Sequence, residues 1–502
     1  MARTTGSVLE MLNGAKTVAV TCLQWGDTGK GKIVDLLATW ADIIVRGTGG
    51  ANAGHSVCLN GSEYIFHLIP SGILHDKDGK INIVGSGTAI DPKIFCEELD
   101  LLQQKGFSCN HLMLSLDAKL TLPTQIVRDR VGEGDAGAGK IGTTGRGIGP
   151  TYGDHTIRIG ATINDLLNPD ILVAKVKASV DFSVRILRSY DPLLVQAILH
   201  QPNLGGGIFY HPQKIFDVDA IVAQYLEYGK ILGPFIRDTD ALVQQSVSDE
   251  NNVLLEGAQG ALLDVDYGTR PFVTSSNCTV DGLAKGAGLN RSDIDLALGI
   301  IKGFYMTRVG EGPFPTEFGG TGSANWCRNA NKEKEEAQYA AASVNDKDEF
   351  IQGMALRRIG NEYGATTKRT RRTGWLDLPL LKYSLRWATP DVVLTKLDVL
   401  DDCEIIKVCA HYCYEGPTYQ FGDLTLNSGD HLSKVIPRVK VLDHCRPVYA
   451  TFPGWRKSLK GITAFKDLPA ELKKILDFVV LETQIKPRII SVGPDREETI
   501  FL

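Results

Sequence analysis

Short apolar runs rich in Val, Ile and Leu alternate along the chain with segments of helical periodicity. Six of these runs are interpreted as strands: Thr17 to Leu23, Asp42 to Val45, Ile81 to Val84, Val253 to Leu255, Asp295 to Ile301 and Val392 to Leu394. Strands that are apolar on both faces are typical of parallel sheets with helices on each side. The pattern therefore predicts an α/β fold with a large, mainly parallel central sheet covered by helices.

Three other segments interrupt this alternation. Between Val57 and Phe66, the residues Leu59-Asn60-Gly61-Ser62 form a turn signal that predicts a small antiparallel hairpin. Helical periodicity from Ile163 to Val247 predicts a helical subregion over about residues 161–250. The polar stretch 319–348 is interpreted as a surface insertion, which leaves a single domain over residues 1–502.

The composition excludes several classes of protein. The chain has 502 residues, 43% of them hydrophobic and 23% charged, which is ordinary for a globular protein and argues against disorder. The net charge of −5 gives no general attraction to nucleic acid. Since no signal peptide and no apolar run of about 20 residues is evident, we expect a cytoplasmic protein that does not enter a membrane.

The 10 cysteines are scattered, which fits reduced thiols rather than a disulfide scaffold. Cys409, His411 and Cys413 alternate along one predicted strand and would share a face of it. A structural zinc ion usually takes four ligands from paired, closely spaced motifs, and no second pair is evident. We therefore interpret this group as side chains packed in a sheet, without zinc.

A glycine-rich loop follows the first predicted strand directly. The residues Gln24-Trp-Gly-Asp-Thr-Gly-Lys-Gly-Lys32 lead from this strand into a helical pattern that begins at Ile33. Glycines let the backbone approach an anion, free N–H groups at a helix start favour negative charge, and Lys30 and Lys32 add positive charge. We therefore expect phosphates at Gly26 to Lys32.

This loop departs from the Walker pattern at one position. Ile33 stands where a Ser or Thr hydroxyl would bind Mg²⁺. Asp27, inside the loop, is then the obvious oxygen ligand for Mg²⁺, or a base beside the phosphates.

Three further loops carry polar groups after predicted strands. The loop Arg46-Gly-Thr-Gly-Gly-Ala-Asn-Ala-Gly-His55 places a histidine among small residues, where it could donate a proton to an oxygen or have only a structural role. The segment Gly142 to Pro150, with Arg146 and later Arg158, suits a second phosphate. A further loop, Glu256 to Asp264, is followed by Thr274-Ser-Ser-Asn277. In an open parallel sheet such loops converge at the carboxyl ends of the strands.

Two later segments point to an anion and to a purine base. The basic run within Gly364 to Asp377 is short and lacks interleaved aromatics, which favours a carboxylate or phosphate clamp over nucleic acid. The strand that begins at Asp391 ends in Thr395-Lys-Leu-Asp398, the arrangement with which GTP-binding proteins read guanine. The carboxylate of Asp398 can accept from both the ring N–H and the exocyclic amine of guanine, and Ser491 to Arg496 would complete the pocket.

Taken together, these motifs strongly resemble the adenylosuccinate synthetase family. The resemblance runs in order along nearly the whole chain and rests on Gln24 to Lys32, Gly50 to His55, Thr143 to Pro150, Glu256 to Gly260, Thr307 to Glu317, Arg371 to Asp377 and Thr395 to Leu400. It implies a P-loop-like nucleotide-binding core and a ligase that joins IMP and L-aspartate to form adenylosuccinate, with GTP converted to GDP and phosphate, on the route from IMP to AMP.

The resemblance also implies roles for individual residues. Asp27 would be the general base that takes the purine N1 proton, and it would bind Mg²⁺ together with the Gly54 carbonyl. His55 would be the acid at the six-position oxygen, through a 6-phosphoryl-IMP intermediate. Arg158 would reach the active site of the neighbouring subunit, which implies a homodimer.

The implied ligand contacts fall into three sets. Those to GTP are Gly26, Asp27, Thr28, Gly29, Lys30, Gly31, Lys32, Gly54, His55, Ser56, Arg371, Lys396, Leu397, Asp398, Ser491, Val492 and Gly493. Those to IMP are Asp27, Thr28, Gly29, Lys30, Asn52, Ala53, Gly54, His55, Thr144, Arg158, Gln259, Thr274 and Arg369. Those to aspartate are Ala365, Thr366, Thr367, Lys368, Arg369, Thr370 and Arg371.

The chain departs from the family pattern at three of these positions. Thr28, Lys368 and Val492 stand where the family usually has Glu, Gly and Thr. Two rival functions share a phosphate loop: a regulatory GTP-binding switch, which would have Ser or Thr at position 33, and a nucleotide kinase, which would leave the phosphate on its substrate. Ligation instead predicts that GTP turnover requires both IMP and aspartate.

Overall fold

The computed structural model describes residues 2–59, 62–364, 368–435 and 437–502. Its strands are β1 Thr17–Cys22, β2 Ile43–Arg46, β3 Gly49–Gly50, β4 His55–Leu59, β5 Ser62–Phe66, β6 Ile81–Val84, β7 Thr88–Ile90, β8 Leu112–Ser115, β9 Lys119–Leu120, β10 Ala161–Thr162, β11 Tyr210–His211, β12 Ile215–Phe216, β13 Ile236–Arg237, β14 Val253–Glu256, β15 Leu296–Lys302, β16 Tyr305–Arg308, β17 Arg372–Asp377, β18 Asp391–Thr395, β19 Ile405–Tyr414, β20 Tyr419–Phe421, β21 Leu424–Leu426, β22 His431–Leu432, β23 Cys445–Pro453, β24 Lys486–Ser491 and β25 Thr499–Phe501. Its α-helices are α1 Ala2–Leu12, α2 Lys30–Ala38, α3 Pro92–Gln104, α4 Pro123–Asp135, α5 Ile148–Thr156, α6 Pro169–Leu187, α7 Pro192–Leu199, α8 Val218–Leu232, α9 Thr239–Ser248, α10 Val280–Lys285, α11 Gly320–Asn329, α12 Lys332–Gln338, α13 Glu349–Ile359, α14 Leu378–Ser384, α15 Val439–Leu442 and α16 Ala470–Thr483.

Ten of the strands form one central sheet. Their order is β13-β8-β6-β2-β14-β1-β15-β18-β24-β25, and every neighbouring pair is parallel except β24 and β25. All six strands predicted from the apolar runs lie in this sheet, with ends that differ by no more than one residue. The predicted mainly parallel α/β fold is therefore confirmed.

Helices cover both faces of the sheet, as strands without a polar face require. On one face, Val18 and Val20 of β1 pack with Ile33 and Leu37 of α2. On the other face, Ala19 belongs to a cluster with side chains of α9 and α10. Since successive strand residues point to opposite faces, the unbroken apolar sequence of β1 supplies both layers.

The smaller predicted elements are also present. β4 and β5 pair antiparallel in the hairpin, whose turn residues Asn60 and Gly61 lie outside the described residues. The range 161–250 contains α6, α7, α8 and α9, with two-residue strands between them. Within the described ranges, no helix combines the length and apolarity needed to cross a bilayer.

The stretch 319–348, interpreted from its sequence as a surface insertion, is mostly exposed, and a few of its side chains are buried. It forms α11 and α12, and Glu335 of α12 is completely buried. The Glu335 carboxylate accepts hydrogen bonds from Arg357 Nε at 2.9 Å and from the Tyr363 hydroxyl at 2.9 Å. A charged residue can be buried when it is paired in this way, so one polar residue of this largely exposed stretch contributes to the interior.

The cysteine–histidine group on β19 does not follow a simple alternation. A bulge between Cys409 and His411 shifts the pairing with β23, so the predicted common face is interrupted. Cys409 is fully buried, whereas His411 and Cys413 are partly exposed. Among the residues that the structure describes, no group of three or more His, Cys, Asp or Glu side chains is arranged to hold a metal ion.

Candidate active site

A cavity of about 950 Å³ lies where loops that follow several strands of the central sheet meet. Parallel strands bring their carboxyl ends to one edge, which is the usual ligand-binding position in open α/β sheets. Most predicted site residues line this cavity. They are Gly26, Asp27, Thr28, Gly29, Lys30, Gly31, Lys32, Asn52, Ala53, Gly54, His55, Ser56, Thr144, Gln259, Thr274, Lys368, Arg371, Lys396, Asp398, Ser491 and Gly493.

Other predicted site residues lie elsewhere. Leu397 and Val492 are buried behind the cavity wall, and Thr370 donates from its hydroxyl to the Cys327 carbonyl at 3.2 Å. Arg158 and Arg369 are exposed and are not part of the lining. Ala365, Thr366 and Thr367 lie outside the described residues, so their predicted contacts with aspartate stay predictions.

The phosphate loop has the geometry of an anion cradle. Gly29 is the N-cap of α2 and has a left-handed backbone, φ 79°; as a glycine it has no side chain that could cap the helix. The N–H groups of the first turn are therefore available to a ligand. At Gly31 a Cβ atom would come within 2.8 Å of the Ser56 carbonyl oxygen, so only glycine lets this turn approach the second loop.

Asp27 also has a left-handed backbone, with φ 54°. This region is uncommon for residues other than glycine, although Asp and Asn enter it more readily than most, and such strain of about 1 kcal/mol is frequent at functional sites. The side chain of Asp27 accepts a hydrogen bond at Oδ1 from Arg371 Nη2 at 2.9 Å. The aspartate predicted as base is therefore held by an arginine from a distant segment.

The two lysines of the loop have different partners. Lys30 Nζ donates to the Gln259 carbonyl oxygen at 2.6 Å. Lys32 Nζ donates to Ser491 Oγ and to the Gly493 carbonyl, both at 2.7 Å. Burial lowers the pKa of Lys32 to about 8, although Glu498, Asp398 and Asp495 oppose this shift. Lys32 thus binds the C-terminal loop, whereas the sequence suggested only a charge for phosphate.

The Thr395-Lys-Leu-Asp398 segment lies next to the phosphate loop. Thr395 Oγ1 donates to the Thr28 carbonyl oxygen at 2.7 Å, which joins the two segments directly. Lys396 takes a left-handed backbone, φ 55°, and its Nζ donates to the Gly360 carbonyl at 2.7 Å. Burial raises the pKa of Asp398 above its ordinary value, against the effect of Lys396 and Lys32. Asp398 lines the cavity, where a base could reach its carboxylate.

His55 belongs to a buried triad with Arg46 and Glu256. Its Nδ1 contacts Glu256 Oε1, and Arg46 Nη1 lies 3.3 Å from the same oxygen. Burial and the charge of Arg46 lower the pKa of His55 to about 4. Near pH 7 the imidazole is therefore neutral, and we assign its Nδ1 proton to the bond with Glu256, since a carboxylate can only accept. Such a pairing fixes the ring and leaves Nε2 for a ligand.

Glu256 is the anchor of this triad. Burial alone would raise its pKa, but His55, Arg46 and the Ser71 backbone N–H outweigh burial and lower the pKa to about 2. Ser71 donates to the carboxylate with its N–H and with its hydroxyl, each at 2.8 Å. The carboxylate is thus ionised, and several hydrogen-bond donors contact its oxygens. Such hydrogen bonds and opposite charges offset the cost of burying a charge.

We expect Glu256→Gln to destabilise the unligated protein by about 3–5 kcal/mol at pH 7, because Arg46 would stay buried without its anion. The lowered pKa of about 2 also predicts a pH effect. A carboxyl whose folded pKa is depressed contributes stability above its unfolded pKa of about 4.5, and this is lost as the pH falls toward 2. Urea denaturation between pH 7 and pH 3 should therefore show a flatter acid decline for the variant. The exposed Glu227→Gln is the control, and equal slopes for wild type and Glu256→Gln would contradict the assignment.

Hydrogen bonds also connect three polar side chains of the cavity lining, Gln259, Asn52 and Thr274. Gln259 Nε2 donates to Asn52 Oδ1 at 3.2 Å, and Asn52 Nδ2 donates to Thr274 Oγ1 at 3.3 Å. Ser276 Oγ donates to Gln259 Oε1 at 3.3 Å, which orients the amide. The three residues predicted to contact a purine nucleotide are thus already aligned with one another.

Four charged residues around the site were not assigned a role from the sequence: Arg46, Glu256, Lys302 and Glu362. The sequence contained a signal for three of them, because Arg46, Glu256 and Lys302 are each a charged residue at the end of an otherwise apolar strand. Arg46 and Glu256 are register partners at the ends of β2 and β14, and Lys302 is paired with Thr395. For Glu362 we find no such signal, since it lies in a polar turn.

Comparisons with known proteins identify the family. The family model described as adenylosuccinate synthetase matches residues 19–500. The adenylosuccinate synthetase of Halothermothrix orenii is 38% identical over 489 residues, which cover 97% of this chain and 98% of that protein. The fully ligated adenylosuccinate synthetase from Plasmodium falciparum superposes with a TM-score of 0.78 at 31% identity, covering 97% of this chain and 100% of that one.

A more distant structure shares the fold. The succinoaminodeoxyadenylate synthetase of cyanophage S-2L, bound to dGMP and dATP, gives a TM-score of 0.51 at 15% identity, over 97% of this chain and 95% of that one. At this identity only the architecture is comparable. The family match over nearly the whole length, together with the ordered motifs around one cavity, shows that this chain belongs to the adenylosuccinate synthetase family.

Proposed function

We propose that the cavity holds GTP, IMP and L-aspartate together, and that Asp27 and His55 carry the first chemical step. As a member of its family, the protein is a GTP-dependent ligase that forms adenylosuccinate, GDP and phosphate for AMP synthesis. The observation that carries the proposal is that the phosphate loop, His55 and the guanine-reading Asp398 line one cavity. A switch protein would need no second substrate pocket beside its phosphate loop.

The chemistry requires two substitutions. The six-position oxygen of IMP is a poor leaving group, so it first attacks the γ-phosphorus of GTP, and the bond to GDP breaks. Asp27 accepts the N1 proton of IMP, which makes the oxygen nucleophilic. The aspartate amine then displaces the phosphate from 6-phosphoryl-IMP, loses a proton and forms the C–N bond. Positioning and fixed charge supply most of the rate in such phosphoryl transfers.

His55 stabilises the oxygen during the first substitution. With Nδ1 bound to Glu256, the ring presents Nε2 to the six-position oxygen. Negative phosphates near the ring favour the charged imidazolium and so raise its pKa from the low value of the unligated protein. Ligand binding thereby turns a neutral histidine into a donor at the reacting oxygen.

Mg²⁺ fits the donors that the cavity provides. Asp27 contributes a carboxylate and Gly54 a carbonyl oxygen, and both line the cavity. Mg²⁺ prefers oxygen ligands and is usually held by one or two carboxylates together with substrate phosphates. When bound there, the ion would neutralise charge on the transferring phosphoryl group.

The assembly and location complete the proposal. Arg158 is exposed and outside the cavity of its own chain, as expected for a residue that reaches the cavity of a second subunit in a homodimer. Its φ of 70° fixes an unusual backbone direction at the end of α5. The substrates are soluble metabolites, and we place the protein in the cytoplasm.

Omission of each substrate in turn tests the ligase function. With Mg²⁺, GTP, IMP and aspartate present, we expect GDP and adenylosuccinate in equal amounts, measured by chromatography. Without IMP or without aspartate, adenylosuccinate should be absent and GDP formation should fall to background. GTP hydrolysis that is equally fast without either substrate would indicate a switch, and a stable phosphorylated product without aspartate would indicate a kinase.

A further inference from the structure

A buried carboxylate lies behind the cavity wall at Glu362. Its side chain is fully buried and accepts hydrogen bonds at both oxygens. Oε1 takes the Tyr305 hydroxyl at 2.7 Å and Lys396 Nζ at 2.8 Å. Oε2 lies 2.8 Å from Lys302 Nζ and 2.8 Å from Arg371 Nη1. One carboxylate therefore contacts three cationic side chains and one phenol hydroxyl.

These partners come from separate parts of the chain. Lys302 ends β15 and Tyr305 begins β16, whereas Lys396 follows β18 and Arg371 precedes β17. Two of the four, Lys396 and Arg371, line the cavity. Glu362 is thus the point at which the base-reading segment and the basic segment after α13 are fixed to each other.

Arg371 extends this connection to the phosphate loop. Its Nη1 binds Glu362 and its Nη2 binds Asp27 at 2.9 Å, so the guanidinium bridges two carboxylates. Its Nε is buried and has no hydrogen-bond partner within the described part of the chain. A buried donor without a partner is costly, and an oxygen of a bound phosphate would satisfy it.

The charges explain why Glu362 must be an anion. Burial would raise its pKa, but Lys302, Lys396 and Arg371 hold the pKa well below its usual value. Burial lowers the pKa of Lys302 to about 7, and Glu362 opposes this shift. Lys302, Lys396 and Arg371 all contact Glu362, and Arg371 also contacts Asp27. Without the Glu362 charge the cations would repel one another and compete for Asp27.

We propose that Glu362 is a positioning residue for nucleotide binding: it fixes Lys396 beside the guanine base and Arg371 between Asp27 and the phosphates, so that both ends of GTP depend on one buried anchor. The inference rests on the proposed function only in naming GTP as the ligand. It predicts that removal of the Glu362 charge lowers the affinity for the nucleotide. This loss of affinity comes in addition to the loss of folding stability that removal of any buried ion-pair partner would cause.

Glu362→Gln tests the anchor, with Glu335→Gln as the matched control. Glu335 is equally buried and binds Arg357 and Tyr363, but it is not part of the Asp27, Arg371 and Lys396 network. For Glu362→Gln we expect a loss of Mg·GDP affinity of about 30-fold by calorimetry, the size expected for charge-assisted hydrogen bonds. The KM for GTP should rise by a similar factor and the KM for IMP by less than about threefold. Glu335→Gln should lower the melting temperature and leave Mg·GDP affinity within about threefold.

A double-mutant cycle separates positioning from a general effect. If Glu362 acts through Lys396, Glu362→Gln should weaken Mg·GDP binding by less than about fivefold when Lys396 is already replaced by Met, compared with about 30-fold in the wild-type background. Full additivity would overturn the proposal, as would equal affinity losses in Glu362→Gln and Glu335→Gln.

If Glu362→Gln does not fold, Glu362→Asp keeps the charge on a shorter side chain. It should weaken Mg·GDP binding by about threefold to tenfold, and wild-type affinity in this variant would also overturn the proposal. Mg·GDP binding needs no ligation, so a wild-type protein that forms no adenylosuccinate would refute the ligase function and leave the anchor to be judged by affinity.

Discussion

Replacing Asp27 with Asn is expected to lower the rate of adenylosuccinate formation by about 10³-fold, within the usual contribution of a general base. The amide has the same shape but cannot accept the purine N1 proton. The loop should keep its conformation, because Asn tolerates the left-handed backbone, φ 54°, as well as Asp does. We therefore expect Mg·GDP affinity to change by less than about tenfold, so that the loss appears in kcat.

Steady-state turnover and calorimetric Mg·GDP binding measure the two quantities separately. Asp42→Asn is the control, because Asp42 is exposed and precedes β2, at the edge of the sheet opposite to the cavity. Its carboxylate accepts a hydrogen bond from the Asn252 backbone N–H at 3.0 Å. Turnover of Asp27→Asn within tenfold of wild type would exclude Asp27 as the base. A large loss of Mg·GDP affinity would instead show that Asp27 acts mainly in binding Mg²⁺ and the nucleotide.

The features predicted well from the sequence are those that local pattern determines. The order of a buried strand, a glycine loop and a helix is confirmed around Gly26 to Lys32. The phosphate site that this order predicts needs no knowledge of any distant contact, and it stays a prediction. The same holds for Asp398, which lies in the short helix just after an apolar strand. Because parallel strands have their carboxyl ends at the same edge of the sheet, the convergence of these loops could also be predicted once the strands were taken to be parallel.

What the sequence could not show are pairings between segments far apart in the chain. Lys32 lies in the phosphate loop, yet its ammonium binds Ser491 and Gly493. Glu335 and Glu362 both lie in polar stretches, and each is buried because it pairs with a cation from another segment, Arg357 and Lys302 respectively. Pairing of this kind depends on tertiary packing. The hydrophobic periodicities of 2 and 3.6 residues predict strands and helices, but they do not predict which distant side chains meet.

The second large effect is expected at the guanine site, where Asp398→Asn should change the preferred nucleotide. The Asp398 carboxylate can accept from the ring N–H and the exocyclic amine of guanine. Asn keeps one acceptor and gains a donor, so it fits xanthine, which has a carbonyl oxygen in place of the amine. For guanine, Asn loses one charge-assisted hydrogen bond and sets its own NH₂ donor against the exocyclic amine. A combined cost of about 4 kcal/mol corresponds to a loss of about 10³-fold in kcat/KM for GTP. We expect a gain for xanthosine triphosphate, with kcat at saturation close to that of wild type with GTP.

Competition between the two nucleotides in one assay measures this preference directly. Asp401→Asn is the control, since Asp401 follows the same short helix, Leu397–Leu400, but accepts from Trp455 Nε1 at 3.0 Å and does not line the cavity. It should lose some stability and retain the preference for GTP. If Asp398 reads the base, it does not touch the reacting atoms, so its replacement should change KM for GTP far more than kcat. An unchanged nucleotide preference in Asp398→Asn would exclude this carboxylate from guanine recognition, even if overall activity fell.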